Sequence, residues 1–432
     1  MRGLITDPSR ISDALYRDFV QQAQLTGWLT DHLVRGEPYL ALNAVVLEAD
    51  ENCLLAGLTE TFAVIFDRAA RAVMGNVSTL VELGFPWPAA ELLSAETPRL
   101  PILGRFDFVQ DRLGHWWLLE YNADTPSGLR EAVAVEACVQ SALPEARELG
   151  RPTGRLGELL VTAFGRATEG LARSHALGIV VDAAELEDLA QMAFTACLIA
   201  DTLEKQGVAT VLGDVDNLVA TRQGLSLMGR PIEALYRYVA FESAFGTPLF
   251  AAIYEAVADG RLRLLNGLFG LLLQNKGLLA WVWRHRTDAI YSAAERAAIE
   301  RHLAPTWPID AYPEQADRSS LVAKQVFGRE GEEVFFGEDL NAEAWDEVRR
   351  RRSYVAQRRV DVGELTAVIP TWGGAERRVG RVTVGGYVVA GKWAGYYTRF
   401  GDKIITNRAK WLATFVEEEG RHGESSLGKR SY

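Results

Sequence analysis

Residues Arg105 to Ser127 read RFDFVQDRLGHWWLLEYNADTPS, and the rest of the chain is organised around them. Arg105 to Gln110 and His115 to Tyr121 are strand-like runs, joined by Asp111-Arg112-Leu113-Gly114, a turn sequence that makes them antiparallel neighbours. In a strand, residues two apart share a face, so Arg105 and Asp107 project together, as do Glu120 and Asn122. The pairing therefore predicts an arginine, two carboxylates and an amide on one face. Carboxylates with an amide oxygen, and no His or Cys, form the ligand set for Mg²⁺ shared with phosphate oxygens. An arginine beside them suits a phosphoryl group whose charge must be bound. From spacing alone, a surface salt-bridge ladder on a half-exposed hairpin is an equal reading.

Three more stretches carry chemistry. Asn122-Ala123-Asp124-Thr125-Pro126-Ser127 leads toward a helix expected from about Gly128 to Leu143, with Thr125 as its N-cap and Pro126 in its first position. A helix start offers free N–H groups to a carboxylate or phosphate; taken alone, a plain cap is the simpler reading. Lys324-Gln325-Val326-Phe327-Gly328-Arg329-Glu330-Gly331 reads as a phosphate-binding strand lysine and a glycine-bracketed loop able to close over a ligand. It is not a Walker A sequence, since no GK[ST] follows the glycines, and a hairpin turn with solvated charges fits it as well. Tyr396 to Asn407 (YYTRFGDKIITN) brings an arginine and an Ile-Ile-Thr strand end toward a pocket, or forms another hairpin, the simpler reading of that stretch alone.

Composition bounds the answer. The chain has 432 residues, 48% of them hydrophobic, which is ordinary globular composition for two or three domains. Its 46 basic against 57 acidic residues give a net charge of −11, which argues against bulk nucleic-acid binding. Cys53, Cys138 and Cys197 form no CxxC pair, which fits a reducing compartment without a disulfide scaffold or structural zinc. With no signal-peptide pattern at the N-terminus, a cytoplasmic protein is expected. Leu262 to Trp283 is the most apolar stretch, but Asn266, Gln274, Asn275 and Lys276 interrupt it, so it reads as a buried helical hairpin or core helix and not a membrane span.

Residues 1–100 read as mostly helical, with apolar positions through Ala14, Leu15 and Phe19 and through Val45, Val46, Leu47, Leu54 and Leu55. From about 150 to 265 strands (Leu177 to Val181, Ala209 to Leu212) alternate with a helix (Leu186 to Gln206), as in a small parallel α/β layer. Beyond Pro313 the chain is β-rich, through Leu321 to Phe327, Tyr354 to Val362 and Val379 to Val389. Arg349 to Arg352 reads as a solvated helix face beside Asp346 and Glu347. Tyr238 and Glu242, at i and i+4, read as a helix face at the core edge in preference to an amine pocket.

Taken in order, RFDF…LLEYNADTPSGLREA, NKGLL, VAKQVFGREGEEV and GYVVAGKWAGYYTRFGDKIIT resemble the synthetase region of the glutathionylspermidine synthase family, within the ATP-grasp superfamily. The resemblance runs from about residue 100 to 415. It implies an α/β (α+β) ATP-grasp fold: a helical N-terminal region (1–100), a hairpin and helix carrying part of the metal and substrate site (101–150), a preATP-grasp-like α/β domain (151–270) and a nucleotide-binding region (271–432). It also implies an ATP-dependent carboxylate–amine ligase acting through an acyl phosphate, with ATP and Mg²⁺ as cofactors and a small-molecule or peptide carboxylate and an amine as partners. Asp107, Glu120 and Asn122 match the family's Mg²⁺ ligands, and Arg105 the arginine that stabilises the transferring phosphoryl group. Thr125 and Ser127 match positions that touch the acid, Lys276 and Lys324 lysines on the ATP phosphates, and Gln357 falls near the adenine-side hinge. Arg329 lies in the matching substrate loop; Arg399 matches a second catalytic arginine, followed by Ile404, Ile405 and Thr406. Bifunctional members carry a cysteine amidase domain ahead of this region, for which these residues leave no room. Departures at Arg399-Phe400-Gly401-Asp402 and at Glu332 and Glu333 bear on substrate identity more than on ATP use. A catalytically silent relative, acting as a nucleotide- or partner-binding scaffold, is the alternative; it would have no chemical need to retain these residues.

Overall fold

The structure, a computed structural model, describes residues 1–417 apart from 31, 173, 174, 223, 314, 330, 332 and 404–407. Strands Leu103–Gln110 and Trp116–Asn122 pair antiparallel, with Asp107 opposite Glu120 and Arg105 opposite Asn122. Phe106 and Phe108 face the other way and pack on the helix Ala49–Met74, where Phe62 and Phe66 meet them at ring-centroid separations of 5.7–6.4 Å. That helix begins in a reciprocal cap between Glu48 and Glu51 and buries its apolar stripe on the sheet. Each of these side chains contributes about 1.5–3 kcal/mol by leaving water.

A β-bulge decides which way the second strand's carboxylate points. Strict alternation would put Glu120 on the same face as Trp116 and Leu118, which are buried. The register shifts between Asp107 and Phe108, so Leu118 pairs with Phe108 while Glu120 pairs with Asp107. Leu119 is the extra residue. Beyond it Glu120 and Asn122 turn to the face of Arg105 and Asp107, and Tyr121 turns into the core to stack on Phe106 at 3.8 Å.

The hairpin edges an eight-stranded sheet. From the opposite edge the order is Arg2–Gly3, Leu40–Leu47, Lys410–Val416, Lys392–Gly401, Gly374–Val389, Leu103–Gln110 and Trp116–Asn122, with Glu364–Thr371 pairing Gly374–Val389. A second sheet runs Ala209–Asp214 at one edge, then Ala176–Val181 and Arg230–Tyr238, these three parallel, with the helix Leu186–Lys205 connecting the first two. A third, antiparallel sheet runs Thr306–Pro308, Tyr354–Arg358, Leu321–Gln325 and Val334–Phe336.

Three expectations need correction. Leu40–Leu47 is a strand, buried throughout, inside a region expected to be mostly helical. A short unbroken apolar run has no period that separates a strand from a buried helix, and pairing with Lys410–Val416 settles it. Thr125 and Pro126 do not open a helix: helical backbone starts at Leu129, as a π-turn over Glu131–Val135 and then α-helix over Glu136–Ala142. Gly128 interrupts at φ +89°, and a β-carbon there would sit 2.2 Å from the Tyr397 ring. The Leu129 N–H, which a helix start would have offered to an anion, is taken by Gln191 Oε1 at 3.1 Å. Tyr238 ends a strand while Glu242 sits on the short helix Phe241–Ala244, so the two share no helix face.

Leu262 to Trp283 contains two short core helices, Leu268–Gln274 and Lys276–Arg284, broken at Asn275, whose side chain accepts the Gly277 N–H. Among the described residues no helix is long and apolar enough to cross a membrane. Arg349 and Arg351 pair with Asp346 and Glu347 at 3.5 and 2.9 Å, a solvated helix face and its end.

Gly128→Ala should lose about 2–4 kcal/mol, from the left-handed backbone and the displaced tyrosine together. Urea unfolding checks this; an unchanged midpoint would mean that Tyr397 has room to move.

Candidate active site

One cavity of about 290 Å³ collects the sequence-selected residues. Arg105, Asp107, Glu120, Asn122, Thr125 and Ser127 line it from the hairpin and the turn after it, Arg399 from the neighbouring sheet strands. Lys276 lines it from the helix Lys276–Arg284, Lys324 and Gln357 from the third sheet, and Arg329 from the segment after Leu321–Gln325. Ile404, Ile405 and Thr406 lie outside the described residues.

Asp107 is the hub. Arg105 donates to it through Nε at 2.7 Å and Nη2 at 3.1 Å, Arg399 through Nη2 at 2.9 Å, and Asn122 through Nδ2 at 3.1 Å. The Arg105 side chain lies across Gly385, where a β-carbon would come within 2.5 Å of its Cδ. The Gly-Gly in that strand is there for close approach. Its guanidinium sits 4.9 Å from the Tyr397 ring centroid. Tyr397 in turn bonds Tyr39, which donates to buried Glu131. Sequence reasoning missed this aromatic support, since tyrosines in strands read as core.

Glu120 lies 3.5 Å from the Lys276 ammonium. Burial alone would raise its carboxyl, but the fields of Lys276, Lys324, Arg399 and Arg105 outweigh that and hold it down to about 2. Lys324 is lowered to about 8, chiefly by burial, with Glu120 opposing the shift and Lys276 adding to it. Lys276 also donates to the Gly328 carbonyl at 2.7 Å, tying the helix start to the glycine-bracketed segment.

Arg329 donates to both Glu242 oxygens at 2.6 and 2.9 Å, to Asp124 at 2.8 Å and to the Thr125 hydroxyl at 2.7 Å. Asp124 is fully buried and also pairs with Arg237. Burial pushes its carboxyl up, but those two arginines outweigh that and keep it below the usual carboxylate range. Neither Asp124 nor Arg237 was singled out in the sequence; the signal was available in the D of N-A-D-T. Gln357 donates to the Leu119 carbonyl and to Thr306, beside an apolar slot formed by Val109, Val322 and Phe336. Apolar lining and a run of cations in one cavity suit an aromatic base with phosphates.

The donor set fits magnesium in a particular way. Among the described residues no three His, Cys, Asp or Glu side chains form a metal cage by themselves. Both Asp107 oxygens already accept from Arg105, Arg399 and Asn122, so Mg²⁺ would meet the Glu120 carboxylate and the Asn122 amide oxygen first, take its remaining ligands from phosphate and water, and gain Asp107 only in exchange for one of those donors.

The glutathionylspermidine synthase preATP-grasp family profile matches residues 11–417. Over 325 residues the chain is 30% identical to a Frankia casuarinae protein named "Putative glutamate–cysteine ligase 2-2", covering 68% of this chain and 35% of that one. It is 26% identical over 244 residues to "Putative acid–amine ligase" of Haemophilus influenzae, covering 56% of each. The chain thus spans between about a third and just over half the length of these curated relatives. A solved glutathione synthetase-like effector from Globodera pallida superposes with a TM-score of 0.65 over 96% of this chain and 98% of that one; at 11% identity this shows a shared fold.

Inorganic tripolyphosphate should bind more weakly as pH rises through about 8, where Lys324 gives up its proton. Calorimetry across about pH 7 to 9.5 reads this directly, and Lys324→Arg should flatten the limb, since arginine keeps its charge. A wild-type profile without a break would remove Lys324 from the anion site.

Proposed function

The chain belongs to the glutathionylspermidine synthase preATP-grasp family, and from that premise we propose that it is an ATP-dependent carboxylate–amine ligase. The single observation that carries the reading is the company one cavity keeps: the cations Arg105, Lys276, Lys324 and Arg399, an oxygen donor set of Asp107, Glu120 and Asn122, and Thr125, Ser127 and Arg329 all line it.

In the proposed reaction an organic acid's carboxylate oxygen attacks the terminal phosphorus of ATP, and ADP leaves. The amine's lone pair then attacks the acyl phosphate carbon, phosphate leaves, and the nitrogen gives up a proton as the amide forms. Bound Mg²⁺, for which Asp107, Glu120 and Asn122 are suited, would neutralise charge on the phosphates. The protein's own part is alignment and charge. Lys276 and Lys324 lie where they can hold phosphate oxygens, and Arg105 and Arg399, fixed by Asp107, need no reorganisation to stabilise the transferring group. Thr125, Ser127 and Arg329 orient the acid, and Gln357 with its apolar neighbours receives the base. No nucleophilic side chain is required, because positioning and electrostatics supply most of the rate in phosphoryl transfer.

The test is phosphate release in a screen of acids against amines with ATP and Mg²⁺. Glu120→Gln should cut turnover by about 10²-fold or more, with far-UV circular dichroism unchanged. Near-normal turnover in that variant would take Glu120 out of the metal site.

A further inference from the structure

Arg329 is engaged on four sides already. A guanidinium has five N–H groups, and this one spends four contacts within the protein: two on Glu242, one on Asp124 and one on Thr125. The Glu242 contact is a fork, Nε to one oxygen and Nη2 to the other. That is the geometry in which an arginine recognises a carboxylate in trans.

The two acidic partners differ. The Asp124 side chain is fully buried and its other oxygen is committed to buried Arg237, so it cannot leave without stranding a charge. The Glu242 side chain is 21% exposed, sits on the four-residue helix Phe241–Ala244, and both of its described bonds go to Arg329. Tyr238 and Ala240, just ahead of it, line the cavity. Water can take up Glu242 at modest cost once another anion takes its place on Arg329.

We propose that Glu242 is an internal competitor for the acid substrate: its carboxylate fills the two-donor face of Arg329 that an incoming carboxylate would take, and binding exchanges one for the other. The proposal rests on the ligase reading for the identity of the incoming group. Glu242 then sets how tightly the cavity holds organic acids, so weakly basic or poorly forked anions fail to displace it. Asp124, with Arg237 behind it, keeps the guanidinium in place during the exchange.

Calorimetry without nucleotide tests this, using L-glutamate and glycylglycine as carboxylate probes and glycinamide, which lacks a carboxylate, as control. Glu242→Gln keeps the side-chain shape but loses the charge, and should bind both acids about three- to tenfold more tightly than wild type, with glycinamide unaffected. In an Arg329→Met background the Glu242→Gln gain should vanish. Equal or weaker acid binding by Glu242→Gln, no acid bound by either protein, or a gain that survives Arg329→Met would each overturn the proposal. Because no ATP enters, failure of the ligase reading would show separately, in the phosphate-release screen.

Discussion

A carboxylate almost shut off from water, Asp107, holds two guanidiniums and an amide at once, and the geometry of the cavity follows from it. A buried charge is tolerable only when its lone pairs are filled, and removing one partner leaves the others uncompensated. Arg105 approaches along its own strand, Arg399 across from Lys392–Gly401, and Asn122 from the hairpin partner. Three strands are therefore tied at one point on the solvent-averse side of a sheet whose other face is fixed by Phe106, Phe108 and Tyr121. The aromatic face gives the hairpin its stability; the charged face gives it a direction.

The pairwise content of the site was legible. Arg105 with Asp107, and Glu120 with Asn122, follow from two-residue alternation, and the turn at Asp111–Gly114 makes them neighbours. What alternation could not supply was the parity of the second pair, since Trp116, Leu118 and Glu120 fall on one face unless a residue is inserted. The bulge at Leu119 is set by how Leu118 pairs with Phe108 while Glu120 pairs with Asp107, a tertiary fact with no local signature. The strand Leu40–Leu47 was hidden for a related reason: its partner lies some 370 residues away, at Lys410–Val416. Thr125 failed as a cap because Tyr397 occupies the space a regular helix start would need, and no spacing rule sees a ring from another strand. Asp124 and Arg237 escaped, and Glu242 was read as the edge of the core, because each is an ordinary charged residue until the fold brings Arg329 among them.

Charge at the site opposes charge on the whole. The chain carries a net −11, which disfavours a polyanion at long range, yet the cavity presents Lys276, Lys324, Arg105 and Arg399 together. At ordinary ionic strength exposed charges are screened beyond about 8–10 Å, so the local cations decide whether a triphosphate is held. Burial works on them unequally. Lys324 is lowered to about 8, so its charge is conditional on pH, whereas Asp107 outweighs burial and holds Arg105 further toward its charged form. Glu120, held down to about 2, stays ionised and available to a cation across the whole physiological range.

The hairpin and the segment that follows it are also locked together. Arg105 reaches Asp107 with Nε and Nη2, and with Nη1 it binds the Ser127 carbonyl at 2.9 Å, which Tyr387 also holds at 2.7 Å. One guanidinium therefore spans from the hub, Asp107, to the segment proposed to hold the acid. The chain from Asn122 to Ser127 cannot drift outward without breaking that span, and Gly128 lets it turn back by adopting a backbone that other residues resist. For a reaction between a carboxylate and a phosphorus atom, which must approach to about 3–3.5 Å, a fixed separation between their two sets of ligands matters more than the strength of any one contact. A side chain that measures that separation directly, from both ends, is the most economical way for this fold to set it.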